Sequence, residues 1–320
     1  MKNADLLFLP SDAALRFLPE GPYPRNADSF SWVAIQHGAD KQFGSVNVYN
    51  FATKENTNYP LPGRPGFAFS TNKGNFVVGC ERTVGIFSPH DHSFRPFLEG
   101  IDSHVSGTVI NDGLTWNGNL IFGTKDLEFK TKKAGLYFWR GADKKLFQLR
   151  DDQVCSNGKC IVSEGAGWID LLDIDSPTRC VMRYKIDLEA GKIVSESIAV
   201  DLRQDEAVPD GMTLSLDGKS VIISLYNPNP AEFGRTIQVS LSNGQVENEW
   251  HSAKSPQATC PQWFVFQEEL WLIITTAVEH MPGDRQLQSN QAGSLFAVPF
   301  GKIHDRASYE KLTQSFVEEA

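Results

Sequence analysis

Cysteine is scarce and unpatterned: Cys80, Cys155, Cys160, Cys180 and Cys260 are an odd count scattered through 320 residues. This argues against a disulfide framework and predicts reduced, mostly buried thiols in a cytoplasmic compartment. Cys155 and Cys160 lie close together, yet no histidine or second cysteine pair completes a zinc pattern. Long apolar runs are missing too. Leu6-Leu7-Phe8-Leu9 ends at Pro10 and has no basic residues leading into it, so neither a signal peptide nor a membrane span is expected. Basic clusters are absent, and a net charge of −9 with a pI near 5.3 argues against a nucleic-acid footprint. There is no nucleophile elbow, phosphate-binding loop or dinucleotide fingerprint. Convincing helices are few.

What is present is short strands, punctuated by 26 Gly and 17 Pro. Phe30–Ile35 and Ser45–Phe51 read as strands. Phe67-Ala68-Phe69-Ser70, the turn Asn72-Lys73-Gly74-Asn75 and Phe76-Val77-Val78-Gly79 form a hairpin signature. Asn117-Gly118 and Asp217-Gly218, between strand-like runs, are dipeptides that suit tight hairpin turns needing positive φ. Similar landmarks fall at Glu20, Gly66, Asn111, Asn157, Asp210 and Cys260, about 45 to 53 residues apart. A period of roughly 40–50 residues with four strands per unit is the arithmetic of a propeller blade. Six units use nearly the whole chain, so the expectation is all-β: one six-bladed β-propeller domain over residues 1–320. The tail after residue 302 carries Tyr309, Leu312 and Phe316 at helical spacing, predicting a peripheral helix within 302–320.

Four polar motifs sit near these landmarks: Pro19-Glu20-Gly21-Pro22, Asn111-Asp112-Gly113, Ser156-Asn157-Gly158 and Pro209-Asp210-Gly211-Met212. Taken singly, each is an ordinary turn sequence. A closed ring of sheets would bring such turns to one channel mouth, where oxygen-only side chains suit a hard divalent cation, calcium first. Asp210 could serve there as a ligand or as general base on a water molecule. His90-Asp91-His92 reads instead as a solvated loop. Trp116, Trp139, Trp168, Trp263 and Trp271 read as sheet core.

With Phe122-Gly123-Thr124, Asp175-Ser176-Pro177-Thr178 and Ala292-Gly293-Ser294-Leu295-Phe296 added, the chain resembles the SMP-30/gluconolactonase/LRE family of regucalcin-like sugar lactonases, which are six-bladed propellers. The resemblance implies a divalent cation, usually calcium, with Zn2+, Mg2+ and Mn2+ also accepted. By motif its ligands are Glu20, Asn157 and Asp210, with Asn111 beside the metal or its water. Asp210 doubles as the proton-handling residue, and Glu128 aligns with a substrate-contacting carboxylate. The expected partner is a small-molecule lactone, not nucleic acid or membrane; the oligomeric state stays open.

The chain departs from the family pattern where substrate is held. Val109 stands where sugar lactonases often carry an arginine, Ala34 where aspartate is frequent, and Lys159-Cys160-Ile161 follows Asn157-Gly158. Val109 removes a forked donor to sugar hydroxyls. Three readings therefore stand side by side: a metal-dependent lactonase acting on a sugar acid, a hydrolase of phosphotriesters or aromatic lactones in the same site, and a non-catalytic calcium-binding propeller.

Overall fold

The computed structural model describes residues 2–318. An N-terminal strand, β1 (Lys2–Phe8), precedes four antiparallel four-stranded sheets in chain order. The first is β2 (Pro19–Pro24), β3 (Ser29–Ala34), β4 (Ser45–Asn50) and β5 (Asn56–Pro60). The second is β6 (Pro65–Ser70), β7 (Phe76–Cys80), β8 (Thr83–Phe87) and β9 (Phe94–Leu98). The third is β10 (Thr108–Trp116), β11 (Asn119–Asp126), β12 (Ala134–Arg140) and β13 (Lys145–Gln153). The fourth is β14 (Ser156–Gly165), β15 (Trp168–Asp175), β16 (Cys180–Asp187) and β17 (Lys192–Asp201).

The rest forms one eight-stranded sheet. It contains β18 (Val208–Leu214), β19 (Ser220–Tyr226), β20 (Phe233–Ser240) and β21 (Val246–Ala253), then β22 (Gln257–Phe266), β23 (Glu269–Ala277) and, after helix α1 (Gly283–Gln288), β24 (Leu295–Lys302). β1 joins the two groups, pairing parallel with β21 (Lys2↔Trp250) and antiparallel with β24 (Asp5↔Ala297). The single pair Tyr226↔Gln257 links β19 to β22 and closes seven of these strands on themselves. Five hydrogen-bonded sheets thus stand where six separate units were expected. The physical reason is that β1 supplies the fourth strand that β22–β24 lack, and its other edge zips onto β21.

Burial falls from the second strand of a sheet to the fourth. β3 and β7 are buried at every position, whereas β17 and β9 are largely exposed. This is what sheets stacked face to face produce. Middle strands are covered on both faces and read as continuous apolar runs, while the outermost strand is an edge carrying charge. Trp116, Trp139 and Trp263 are buried as expected. The turn between β10 and β11 has positive φ at both Asn117 (47°) and Gly118 (74°), as a tight two-residue hairpin requires.

The inner strands β2, β6, β10, β14, β18 and β22 each pack on the next, and β22 returns to β2. The fold is all-β and propeller-like. The approach of inner strands is close: a Cβ on Gly66 would lie 2.4 Å from the Ile110 carbonyl oxygen, and one on Gly158 would lie 2.4 Å from the Met212 nitrogen.

The tail carries a helix within 302–320, as expected, but a short one. Helix α2 covers only Arg306–Leu312, and the chain beyond it is extended. Phe316 exchanges backbone hydrogen bonds with Ser70 and Asn72, and its ring lies against Phe97 and Trp139. Among the described residues no helix is long and apolar enough to cross a membrane.

Candidate metal centre

Each inner strand breaks its register at an equivalent place. The irregularities fall between Glu20 and Tyr23, Pro65 and Phe67, Ile110 and Gly113, Ser156 and Lys159, Pro209 and Met212, and Ala258 and Pro261. The four polar motifs lie at these bulges, inside strands, and not in the turns ahead of them. A bulge re-aims the side chain it carries. Here the result is that Glu20, Asn111, Asn157 and Asp210 line one cavity of about 600 Å³.

Among the described residues Glu20 and Asp210 make no side-chain hydrogen bond or ion pair, so their oxygens are open to a ligand in the cavity. Burial pushes both carboxyl groups well above their ordinary proton affinity, and neighbouring acids add to it: Asp210 acts on Glu20, and Asp112 and Glu279 act on both. Two desolvated carboxylates in one another's field are a costly arrangement that a cation of charge two relieves.

Asn157 is held firmly. Its Nδ2 donates to Ser176 Oγ at 2.8 Å, and its Oδ1 accepts from Asn111 Nδ2 at 2.8 Å. Asn111 also donates to the Ser156 carbonyl oxygen at 3.0 Å. The amide is therefore oriented, with one Oδ1 lone pair left. The chain around it is fixed as well. Asp175 accepts from the Val154 and Cys155 N–H groups, and Lys159 donates to the Asn157 carbonyl while pairing with buried Asp173 at 3.2 Å.

Among the described residues no three His, Cys, Asp or Glu side chains cluster as a metal site. The donor set is two carboxylates plus amide oxygens, which is hard-cation chemistry suited to calcium or magnesium and poor for zinc in a closed structural site. The residues present fit a divalent cation.

Glu128 sits on the loop after β11 and lines the cavity, its exposed side chain 3.6 Å from Lys130. That loop is organised by Asp126, which accepts from the Lys130 and Thr131 N–H groups and pairs with Lys133 at 3.0 Å. Val109 is 1% exposed and does not line the cavity; its cross-strand partner Lys125 does. His90 and His92 are exposed turn residues, and all five cysteines are free and buried.

Lys125, Gln257, Tyr226 and Glu279 also line the cavity and were not singled out from sequence. Gln257 donates to the Glu279 carbonyl oxygen at 3.0 Å, and the Tyr226 hydroxyl donates to Glu279 Oε2 at 3.3 Å. Lys125 was the findable one. It follows Phe-Gly-Thr directly, and its neighbour two residues back, Gly123, abuts Ser156 beside Asn157.

Comparison with known proteins places the chain in a family. The description of the SMP-30/Gluconolactonase/LRE-like region matches residues 18–278, and the chain belongs to that family. It is 29% identical over 228 residues to a putative sugar lactone lactonase, YvrE, of Bacillus subtilis, covering 71% of this chain and 73% of that one. It is 24% identical over 231 residues to regucalcin of Xenopus laevis, covering 70% and 73%. The fold matches a calcium-binding protein, regucalcin, from Agrobacterium tumefaciens at a TM-score of 0.79 and 18% identity over 98% of both chains. A luciferin-regenerating enzyme matches at 0.72 and 20% identity, over 89% of this chain and 92% of that one. The family and its relatives support a lactonase-like function.

Proposed function

We propose that this chain is a divalent-cation-dependent hydrolase that opens lactone rings, foremost those of sugar acids. The observation that carries the reading is the gathering of Glu20, Asn157 and Asp210 from β2, β14 and β18 onto one cavity, with the two carboxylates unpaired among the described residues. These three residues would hold the cation, calcium first, and Asn111 steadies the amide among them. When bound, the cation supplies Lewis acidity that polarises the lactone carbonyl and offsets the charge of the tetrahedral oxyanion.

The rest is done by the chain itself. Water attacks the carbonyl carbon, its proton passes to Asp210, the ring C–O bond breaks, and the ring oxygen takes the proton to leave a hydroxy acid. Burial and acidic neighbours raise the proton affinity of Asp210 in the cation-free chain, and as a carboxylate lining the cavity it is the group assigned to take that proton. Glu128 on its loop is assigned to the substrate's hydroxyls.

The same reading takes residues 1–320 as one domain of six blades. The repeat spacing, the unbroken circuit of six inner strands and the division of the eight-stranded sheet into β18–β21 and β22–β24 with β1 support it. Five unpaired buried thiols fit a reducing, cytoplasmic setting.

The test is turnover of gluconolactone, a γ-lactone and a phosphotriester, with and without chelator, by the native protein and Asp210→Ala. The expected result is cation-dependent lactone hydrolysis that falls at least ~100-fold in the variant, the usual scale for losing a proton-transfer group. Undiminished lactone turnover by Asp210→Ala sinks the mechanism. A blank panel with one calcium bound per chain makes the protein a non-catalytic calcium binder.

A further inference from the structure

Charge is distributed unevenly around the cavity wall. Arg64, Asp126 and Glu128 line it, but each is paired within the chain: Arg64 with Glu81 at 2.7 Å, Asp126 with Lys133 and Glu128 with Lys130. The Lys125 side chain is different. Partly buried on β11, it makes no hydrogen bond and no ion pair among the described residues. It lines the same cavity as Glu20, Asn157 and Asp210, and its charge acts on both carboxylates. Once Glu20 and Asp210 are engaged by a divalent cation, Lys125 is a partly buried positive charge with no counter-ion paired to it among the described residues. Such a charge is costly unless a ligand supplies the counter-ion.

A separate part of the wall has the opposite character. Gln257 is 2% exposed and lines the cavity, and its Oε1 is buried with no partner, while its Nε2 is committed to the Glu279 carbonyl oxygen. The Glu279 carboxylate lies beside it, receiving among the described residues the Tyr226 hydroxyl and a 3.9 Å approach from His280. This wall offers acceptors and asks for hydroxyl donors.

We infer that the cavity selects a hydroxylated lactone that also carries an anionic group, a carboxylate or a phosphate ester, with Lys125 binding the anion and Gln257 with Glu279 receiving the hydroxyls. The inference rests on the lactonase reading of the same site and narrows it to a substrate class. Lys125 is a specificity-determining residue, and the missing guanidinium at position 109 is offset by an ammonium on the paired strand (Val109↔Lys125).

The experiment compares kcat/KM of the cation-loaded protein on three lactones: neutral gluconolactone, an aldarolactone bearing a free carboxylate, and a 6-phosphogluconolactone. The native protein is expected to prefer at least one anionic lactone, with a KM that rises with ionic strength for that substrate only. Lys125→Met is expected to lower the anionic-to-neutral ratio by about tenfold or more, the scale of one charge-assisted hydrogen bond, mainly through KM. Lys125→Arg is expected to restore most of it, which a merely structural lysine would not predict. Which anionic lactone responds tells carboxylate from phosphate. A native protein that favours gluconolactone over both, or a ratio unmoved in Lys125→Met, overturns the inference while leaving the lactonase intact. If Lys125→Met does not fold, the native preference and its salt dependence decide. No hydrolysis of any of the three by the native protein is instead the failure of the lactonase reading, and the inference falls with it.

Discussion

The two carboxylates at the centre give a stability signature that can be read without substrate. In chelator, Glu20 and Asp210 sit desolvated beside each other and near Asp112 and Glu279, with Lys125 the main opposing charge. Their folded proton affinities lie well above the ordinary values of 4.5 and 3.8. The folded state therefore keeps protons that the unfolded chain has released. Stability is full below about those ordinary values and is lost as pH rises through the raised folded ones. Each such proton contributes up to ~1.4 kcal/mol per pH unit, so two contribute at most ~2.7. The assay is urea unfolding of native protein and of Glu20→Gln/Asp210→Asn, both in chelator, from pH 4 to pH 8. Subtracting the two cancels the other acids, and any constant cost of burying amides does not alter the slope. The native protein should lose at least ~1.4 kcal/mol relative to the variant over this range, the equivalent of a one-unit upward shift in a single group. Calcium at about a hundred times its dissociation constant should return ~2.7 kcal/mol to the native protein and nothing to the variant. For 320 residues that is roughly 4 °C in Tm. A difference that stays flat from pH 4 to pH 8 would refute the claim that these carboxylates share a desolvated site.

Two further outcomes test the frame that holds the site. Gly66→Ala places a Cβ 2.4 Å from the Ile110 and 2.5 Å from the Asn111 carbonyl oxygens. Strands β6 and β10 must part, at about 1–3 kcal/mol in urea unfolding, and unchanged stability would mean the inner strands do not pack this closely. Phe316→Ala removes a side chain 3% exposed, packed on Phe97 and Trp139. A loss of about 3 kcal/mol, or roughly 4–5 °C in Tm, is expected. A shift under 1 °C would show the tail to be a loose appendage.

Much of the fold was legible because its signals are local. Asn117-Gly118 and Asp217-Gly218 mark hairpins through their backbone preferences alone, and Ser45–Phe51 matches β4 to within one residue. The recurrence of Glu20, Asn111, Asn157 and Asp210 was legible because one bulged strand repeats around the ring. What escaped was non-local. β1 is a strand only because β21 and β24 offer it both edges, more than two hundred residues away. Tyr309 and Phe316 are buried as their spacing predicted, but the backbone after Leu312 bonds to Ser70 and Asn72, and that pairing replaces further helical turns. The motifs were placed in turns because Asn-Gly and Asp-Gly favour turns; the bulge is a tertiary feature that uses the same residues inside a strand. Gln257 carries no motif of its own, and only the closed wall of the cavity brings it to the site.

The central claim is that Glu20, Asn157 and Asp210 grip one ion. Anomalous diffraction from crystals grown with calcium or manganese tests it directly. A single peak within coordination distance of oxygen atoms from all three side chains, absent from Asp210→Asn crystals, is the predicted result. An ion bound elsewhere, or a peak that survives Asp210→Asn undiminished, would contradict it.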